Sequence, residues 1–124
     1  MASPSLLLVE NNPRIRALLR LSLEDLGFAV SVAESGQAAL RLIADRADRF
    51  DALISDIRLG DDVSGWDVAR SARANDSAIA VLYMSGDSGD AWESQGVPGS
   101  RFLAKPFGIR AIPEALTILL LSQE

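Results

Sequence analysis

Hydrophobic positions along this chain switch repeatedly between two periods. "SLLLV", Ser5–Val9, is a continuous apolar run suited to a fully buried strand. Behind it, Asn12 can cap a helix and Pro13 suits the first turn. Ile15, Leu18, Leu19, Ser22, Leu23 and Leu26 then recur at the i, i+3, i+4, i+7 spacing of one helical face, and Gly27 is placed to end it. Phe28, Val30 and Val32 alternate with small residues and predict a second strand. A second helix is expected from Ser35 to about Ala47, burying Ala39, Leu40 and Ile43.

"FDALISD", Phe50–Asp56, predicts a third strand that ends on an acid, followed by a polar, glycine-containing loop from Ile57 to Gly65. Trp66–Ala74 fits a third helix through Val68, Ala69 and Ala72. "AIAVLYM", Ala78–Met84, is the plainest strand, and Ala91–Gln95 carries only a weak helical pattern. "RFLAK" predicts a fifth strand broken by Pro106, and Ile109–Leu121 a final amphipathic helix with Pro113 near its start. Continuous apolar strands alternating with helices imply a parallel sheet covered on both faces. With right-handed crossovers, a doubly wound (βα)5 fold in the flavodoxin-like order 2-1-3-4-5 is expected.

Composition narrows the chemistry. The 124 residues make one ordinary domain, 1–124, with no linker, repeat or low-complexity tract. No apolar run approaches the roughly 18 residues of a membrane span, and the N-terminus lacks a secretory pattern, so a cytoplasmic location is the expectation. A net charge of −5 speaks against binding nucleic acid through its phosphates. Cysteine and histidine are both absent. That removes thiolate chemistry, Ser-His pairs and the usual transition-metal ligand.

In the 2-1-3-4-5 order, strands 1 and 3 are neighbours, so Glu10 and Asp56 should share one crevice with Asn11, Ser85 and Lys105. A carboxylate nucleophile beside a second acid, a hydroxyl and an ammonium suits phosphoryl transfer. Asp56 could take the group as an acyl phosphate, a divalent cation could neutralise the transferring oxygens, and Lys105 and Ser85 could hold the product.

These residues resemble the receiver domain of two-component response regulators, of the chemotaxis-regulator type. "LLLVEN" is similar to the family's acid-bearing first strand and "ALISDIRL" to its phosphoacceptor strand. "LYMSG" is similar to the fourth strand with its switch hydroxyl, and "FLAKPF" to the fifth with its lysine and proline. The resemblance implies that Asp56 is phosphorylated by a sensor histidine kinase or a histidine phosphotransfer protein. It implies that Glu10, Asn11, Asp56 and the Arg58 backbone carbonyl hold Mg²⁺. It makes Ser85 and Phe102 the switch pair, Lys105 the phosphate partner, and the Lys105–Pro106 bond cis. The expected product is a signalling module that catalyses only its own phosphorylation and dephosphorylation.

Three departures qualify the resemblance. Asn11 stands where an aspartate normally contacts the metal, which predicts weaker Mg²⁺ binding. Gly60 replaces the family's usual proline, and the spacing to Gly65 is one residue longer than in the family, with Asp61 and Asp62 read as a solvated turn. Phe102 lacks the hydroxyl of a switch tyrosine, so a plain core position competes with its switch role. Trp66 reads as a packing residue, and Arg16 and Arg20 as a solvated face. No residues remain for an output domain, so the chain is expected to act through an unknown downstream protein or to be a fragment of a longer regulator or hybrid kinase. A degenerate receiver, binding partners without phosphorylation because of Asn11, is the alternative. A haloacid-dehalogenase-type phosphatase would want an acid at Arg58 and is disfavoured.

Overall fold

The computed structural model describes residues 3–45, 49–87, 89–105, 108 and 110–121. Strands β1 (Ser5–Val9), β2 (Ala29–Ala33), β3 (Ala52–Asp56), β4 (Ala80–Ser85) and β5 (Arg101–Ala104) form one parallel sheet in the order 2-1-3-4-5. This is the flavodoxin-like arrangement that the alternating pattern predicts. Helices α1 (Pro13–Asp25) and α5 (Ala111–Leu121) cover one face, where Leu23, Ile112 and Leu116 meet Leu6, Leu8, Ile54 and Leu82. On the other face, α2 (Gly36–Ala44), α3 (Gly65–Asn75) and the one-turn α4 (Trp92–Gln95) pack over Leu7, Val9, Leu53, Val81 and Tyr83. The central strands β1, β3 and β4 thus send alternate side chains into two dry layers, which is why they read as unbroken apolar runs.

Helix boundaries follow local chemistry. The Asn12 side chain accepts the N–H groups of Arg14 and Ile15, and Pro13 occupies the first turn. Gly27, with φ of 96°, closes the helix in the left-handed region. Ser64 and Asp67 form a capping box at the start of α3. The Ser64 N–H, helped by Arg70, holds the Asp67 carboxyl below the usual carboxylate range.

The structure corrects several expectations. Leu18 and Leu26 are exposed rather than core. A single helical step of about 100° carries Leu18 off the face that Leu19 and Leu23 bury, and Leu26 lies beyond the last helical residue as the cap. Strand β3 starts at Ala52, one residue after Asp51, whose backbone bonds Ser5 and Ala80 and whose carboxylate also accepts the Ser5 N–H at 2.7 Å. Strand β4 starts at Ala80 because Asp76 first closes a turn on the Ala78 N–H at 2.9 Å. Helix α2 ends at Ala44 on its Asp45 cap, and β5 ends at Ala104. The expected helix limits at Ala47 and Ile109, and the Lys105–Pro106 bond, involve residues outside the described set.

Registry carries the sheet into the site. Val9 lies opposite Ser55, Asp56 opposite Met84, and Ser85 opposite Ala104. The residues that end these strands therefore gather on one rim. Helix α3 begins hard against that rim, since a Cβ on Gly65 would run into the Asp56 carbonyl oxygen and lie 2.9 Å from Ile57 Cα. Backbone on both sides leaves no room to yield. Gly65→Ala should cost about 2–3 kcal/mol in urea unfolding, whereas Gly86→Ala, facing open space, should stay within about 0.5 kcal/mol of wild type. Equal effects would mean that the α3 start is not confined in this way.

Candidate functional site

One ammonium organises the rim. Lys105 Nζ donates to Asp56 Oδ2 at 2.7 Å and to Glu10 Oε1 at 3.1 Å. Glu10 is 1% exposed, so its charge is taken out of water and must be matched inside the protein. It is matched fully: the other oxygen, Oε2, accepts the Asn12 N–H at 3.1 Å. Its backbone oxygen accepts Arg16 Nη1 at 2.9 Å. Arg16 is thus a buttress of the β1–α1 turn rather than part of a solvated face, while Arg20 pairs in the open with Glu24.

Burial works against the Lys105 ammonium, but the hydrogen bonds and charges of Asp56 and Glu10 together outweigh it and raise its pKa. The Lys105 N–H also extends the ladder to the Ser85 carbonyl at 2.9 Å, so the side chain leaves a fixed backbone. Asp56 keeps its second oxygen, Oδ1, on the Arg58 N–H at 3.3 Å. That is the longest bond of the cluster and the weakest hold on either acid.

Ser85 ends β4 beside this group, and its hydroxyl donates to Asp87 Oδ1 at 3.2 Å. Asp87 in turn takes the Arg58 side chain, Nε on Oδ1 at 3.2 Å and Nη2 on Oδ2 at 3.0 Å. Asn11 is exposed next to Glu10, and a Cβ built on Gly60 would lie 3.4 Å from its amide nitrogen. Phe102 is half-buried, with its ring 6.3 Å from that of Trp92 and its edge against Gly89. It sits under the segment after β4, at the margin of the core. Trp66 packs as expected, 4.6 Å from the Tyr83 ring.

The structure therefore brings Glu10, Asp56 and Lys105 into direct contact and sets Ser85, Asn11 and Arg58 around them. Sequence reasoning missed two side chains. It gave Arg58 a role for its carbonyl alone and Asp87 none. It also took Asp61 for a solvated turn, whereas its two oxygens accept the Gly36 and Gln37 N–H groups at 3.2 and 2.9 Å. Asp61 thus fastens the loop to the start of α2.

A doubly wound sheet with two acids, a hydroxyl and a lysine on its strand-end rim defines the receiver class. The chain belongs to the response regulator receiver domain family, whose model matches residues 6–117. It is 38% identical over 82 residues to the transcriptional regulatory protein AfsQ1 of Streptomyces coelicolor, covering 66% of this chain and 35% of that one. It is 28% identical over 117 residues to the response regulator MprA of Mycolicibacterium vanbaalenii, covering 93% and 49%. The chain thus spans about half the length or less of these curated relatives.

Among solved structures, a response regulator receiver protein from Sinorhizobium medicae matches with a TM-score of 0.94 at 32% identity over 98% of both chains. The receiver domain of the sensor histidine kinase PA1611 from Pseudomonas aeruginosa matches at 0.81 and 26%, over 96% of this chain and 98% of that one. That structure is described with a magnesium ion coordinated in its active-site cleft.

Because the Lys105 pKa is raised in the fold, its stabilisation is complete below the unfolded value of about 10.4 and is lost as pH rises through the folded value. Lys105→Met should cost about 1–3 kcal/mol at pH 7. Urea unfolding at pH 7, 9 and 11 should show that gap constant to pH 9 and narrower at pH 11. Tyr83, whose phenol is pushed up by burial, titrates in both proteins and cancels from the difference. A gap already closing by pH 9 would contradict the pairing.

Proposed function

We propose that this receiver accepts a phosphoryl group on Asp56 from the phosphohistidine of a sensor histidine kinase or histidine phosphotransfer protein, and signals through protein contacts. The observation that carries the reading is the shared ammonium. Lys105 holds one Asp56 oxygen at 2.7 Å and leaves the other with only a 3.3 Å bond. The loosely held Oδ1 forms the new O–P bond while the P–N bond of the donor imidazole breaks. The electron pair stays on the ring nitrogen, which takes a proton from solvent. The product is an acyl phosphate, and later attack of water on phosphorus releases orthophosphate and restores the carboxylate. Lys105 and the Ser85 hydroxyl are the groups at hand to bond the phosphoryl oxygens. The absence of histidine fits a chain that receives the group rather than donating it.

Glu10, Asn11, Asp56 and the Arg58 carbonyl would hold Mg²⁺. All are hard oxygen donors, as that ion demands. When bound, it supplies charge neutralisation on the transferring oxygens. Asn11 contributes an oxygen without the charge of an acid. At about 4 Å that difference is on the order of 1–4 kcal/mol between effective dielectrics of water and a protein surface. The reading therefore includes a weakly held metal.

The domain's excess of acids favours protein rather than nucleic-acid partners, and a cytoplasmic donor suits it. Among the described residues no helix is long and apolar enough to cross a membrane. Asn11 is also what favours the second reading, a binding module that is never phosphorylated.

Intact-protein mass after incubation with acetyl phosphate, across a Mg²⁺ series, separates the two. Wild type should gain one phosphoryl group in a metal-dependent manner and Asp56→Asn none. Asn11→Asp should reach half-maximal gain at a Mg²⁺ concentration about tenfold lower. Gain by Asn11→Asp alone would establish the binding module. No gain by either protein would overturn the phosphoacceptor reading.

A further inference from the structure

The Arg58 side chain and Asp87 form a fork-to-fork ion pair between the loop after β3 and the segment after β4, with N–O distances of 3.2 and 3.0 Å. One oxygen of that pair has a second donor. Asp87 Oδ1 accepts both Arg58 Nε and Ser85 Oγ, each at 3.2 Å. An anionic oxygen therefore lies between a guanidinium and the hydroxyl that flanks Asp56, and the Arg58 backbone N–H already bonds Asp56 Oδ1. A phosphoryl group on Asp56 presents the same kind of acceptor with more charge and three oxygens.

We propose that the Arg58 guanidinium is a second phosphoryl-binding cation, beside Lys105, and that Asp87 is the resident anion it leaves when Asp56 is loaded. This rests on the phosphoacceptor reading of Asp56 and adds no covalent step to it. Three observations support the exchange. The Arg58 and Asp87 side chains are 78% and 56% exposed, so parting them costs little and water receives the released carboxylate. Arginine's planar fork fits phosphate oxygens as well as it fits a carboxylate. Ser85 cannot turn its hydroxyl proton to a phosphoryl oxygen while giving it to Asp87, so a phosphoryl oxygen competes directly with Asp87 Oδ1 for that one proton.

The exchange also answers the deficit at Asn11. Where the metal is held without a third acid, a permanent cation two residues from the phosphoacceptor supplies charge that no Mg²⁺ concentration can remove. Asp87 then acts as a brake, and Arg58 lowers the metal requirement of the loaded state.

The test compares wild type, Arg58→Gln, Arg58→Lys and Asp87→Asn, each incubated with acetyl phosphate across a Mg²⁺ series and read by intact mass. Retention of the phosphoryl group is followed after the donor is removed. Arg58→Gln should need about two- to five-fold more Mg²⁺ for half-maximal phosphorylation and lose the group faster by a similar factor, as expected for one solvent-exposed charge contact. Arg58→Lys should fall between Arg58→Gln and wild type. Asp87→Asn should shift the requirement the opposite way, to lower Mg²⁺.

The opposite signs matter because a purely structural clasp is broken by either substitution and would move both variants together. Shifts of the same sign, or none, in a wild type that is phosphorylated would overturn this assignment alone. A wild type that gains no phosphoryl group would overturn it together with the reading of Asp56.

Discussion

The ammonium of Lys105 is the interaction on which the rest of the site depends. It bonds acids 95 and 49 residues away in sequence, and one of them is almost wholly removed from water. Two carboxylates placed together at the end of a buried sheet repel each other and resist desolvation. A shared cation makes the pair tolerable, and the parallel sheet delivers it there. Strands that all run the same way end on one rim, and the order 2-1-3-4-5 puts β1 and β3 side by side with β4 and β5 next to them. The residues following Val9, Ala104 and the end of β3 then meet without any of them being near in sequence.

Around this ammonium the site has two unlike halves. The inner half is fixed by backbone. Glu10, Ile57 and Lys105 continue the ladders through their N–H groups, Gly65 admits the start of α3 against Asp56, and Asp61 ties the intervening loop to α2. The outer half consists of exposed side chains, Arg58 on Asp87 with Ser85 sharing the same oxygen. Buried pairs hold geometry, and exposed pairs exchange partners cheaply. A site that accepts a dianionic group and later releases it, as proposed for Asp56, has use for both. On that proposal the fixed half positions the nucleophile, and the exposed half can reorganise around what arrives.

Much of this was legible in the sequence because the strands are buried on both faces. Unbroken apolar runs ending in Glu10, Asp56 and Ser85 marked both the sheet and the rim. The boundaries were less legible where a side chain closes a turn ahead of a strand, as Asp76 does before β4. Leu18 and Leu26 misled because periodicity records spacing, not which face a helix turns to its sheet.

The clasp leaves only a partial signal in the spacing. Arg58 stands two residues after Asp56 and Asp87 two after Ser85, an interval that returns a side chain to the same side of an extended backbone. Nothing in the sequence joined the two loops, however. Asp61 reads as solvated because a loop acid usually is, and its partners are backbone N–H groups that no residue pattern displays.

The central claim is chemical: of the two acids held by Lys105, Asp56 is the one that carries the phosphoryl group. Borohydride reduces an aspartyl phosphate to homoserine, so treating the phosphorylated protein with it and sequencing the peptides by mass spectrometry reads the acceptor directly. The account predicts homoserine at position 56 and at no other aspartate. Homoserine at Asp61, Asp62 or Asp87, with Asp56 intact, would contradict it.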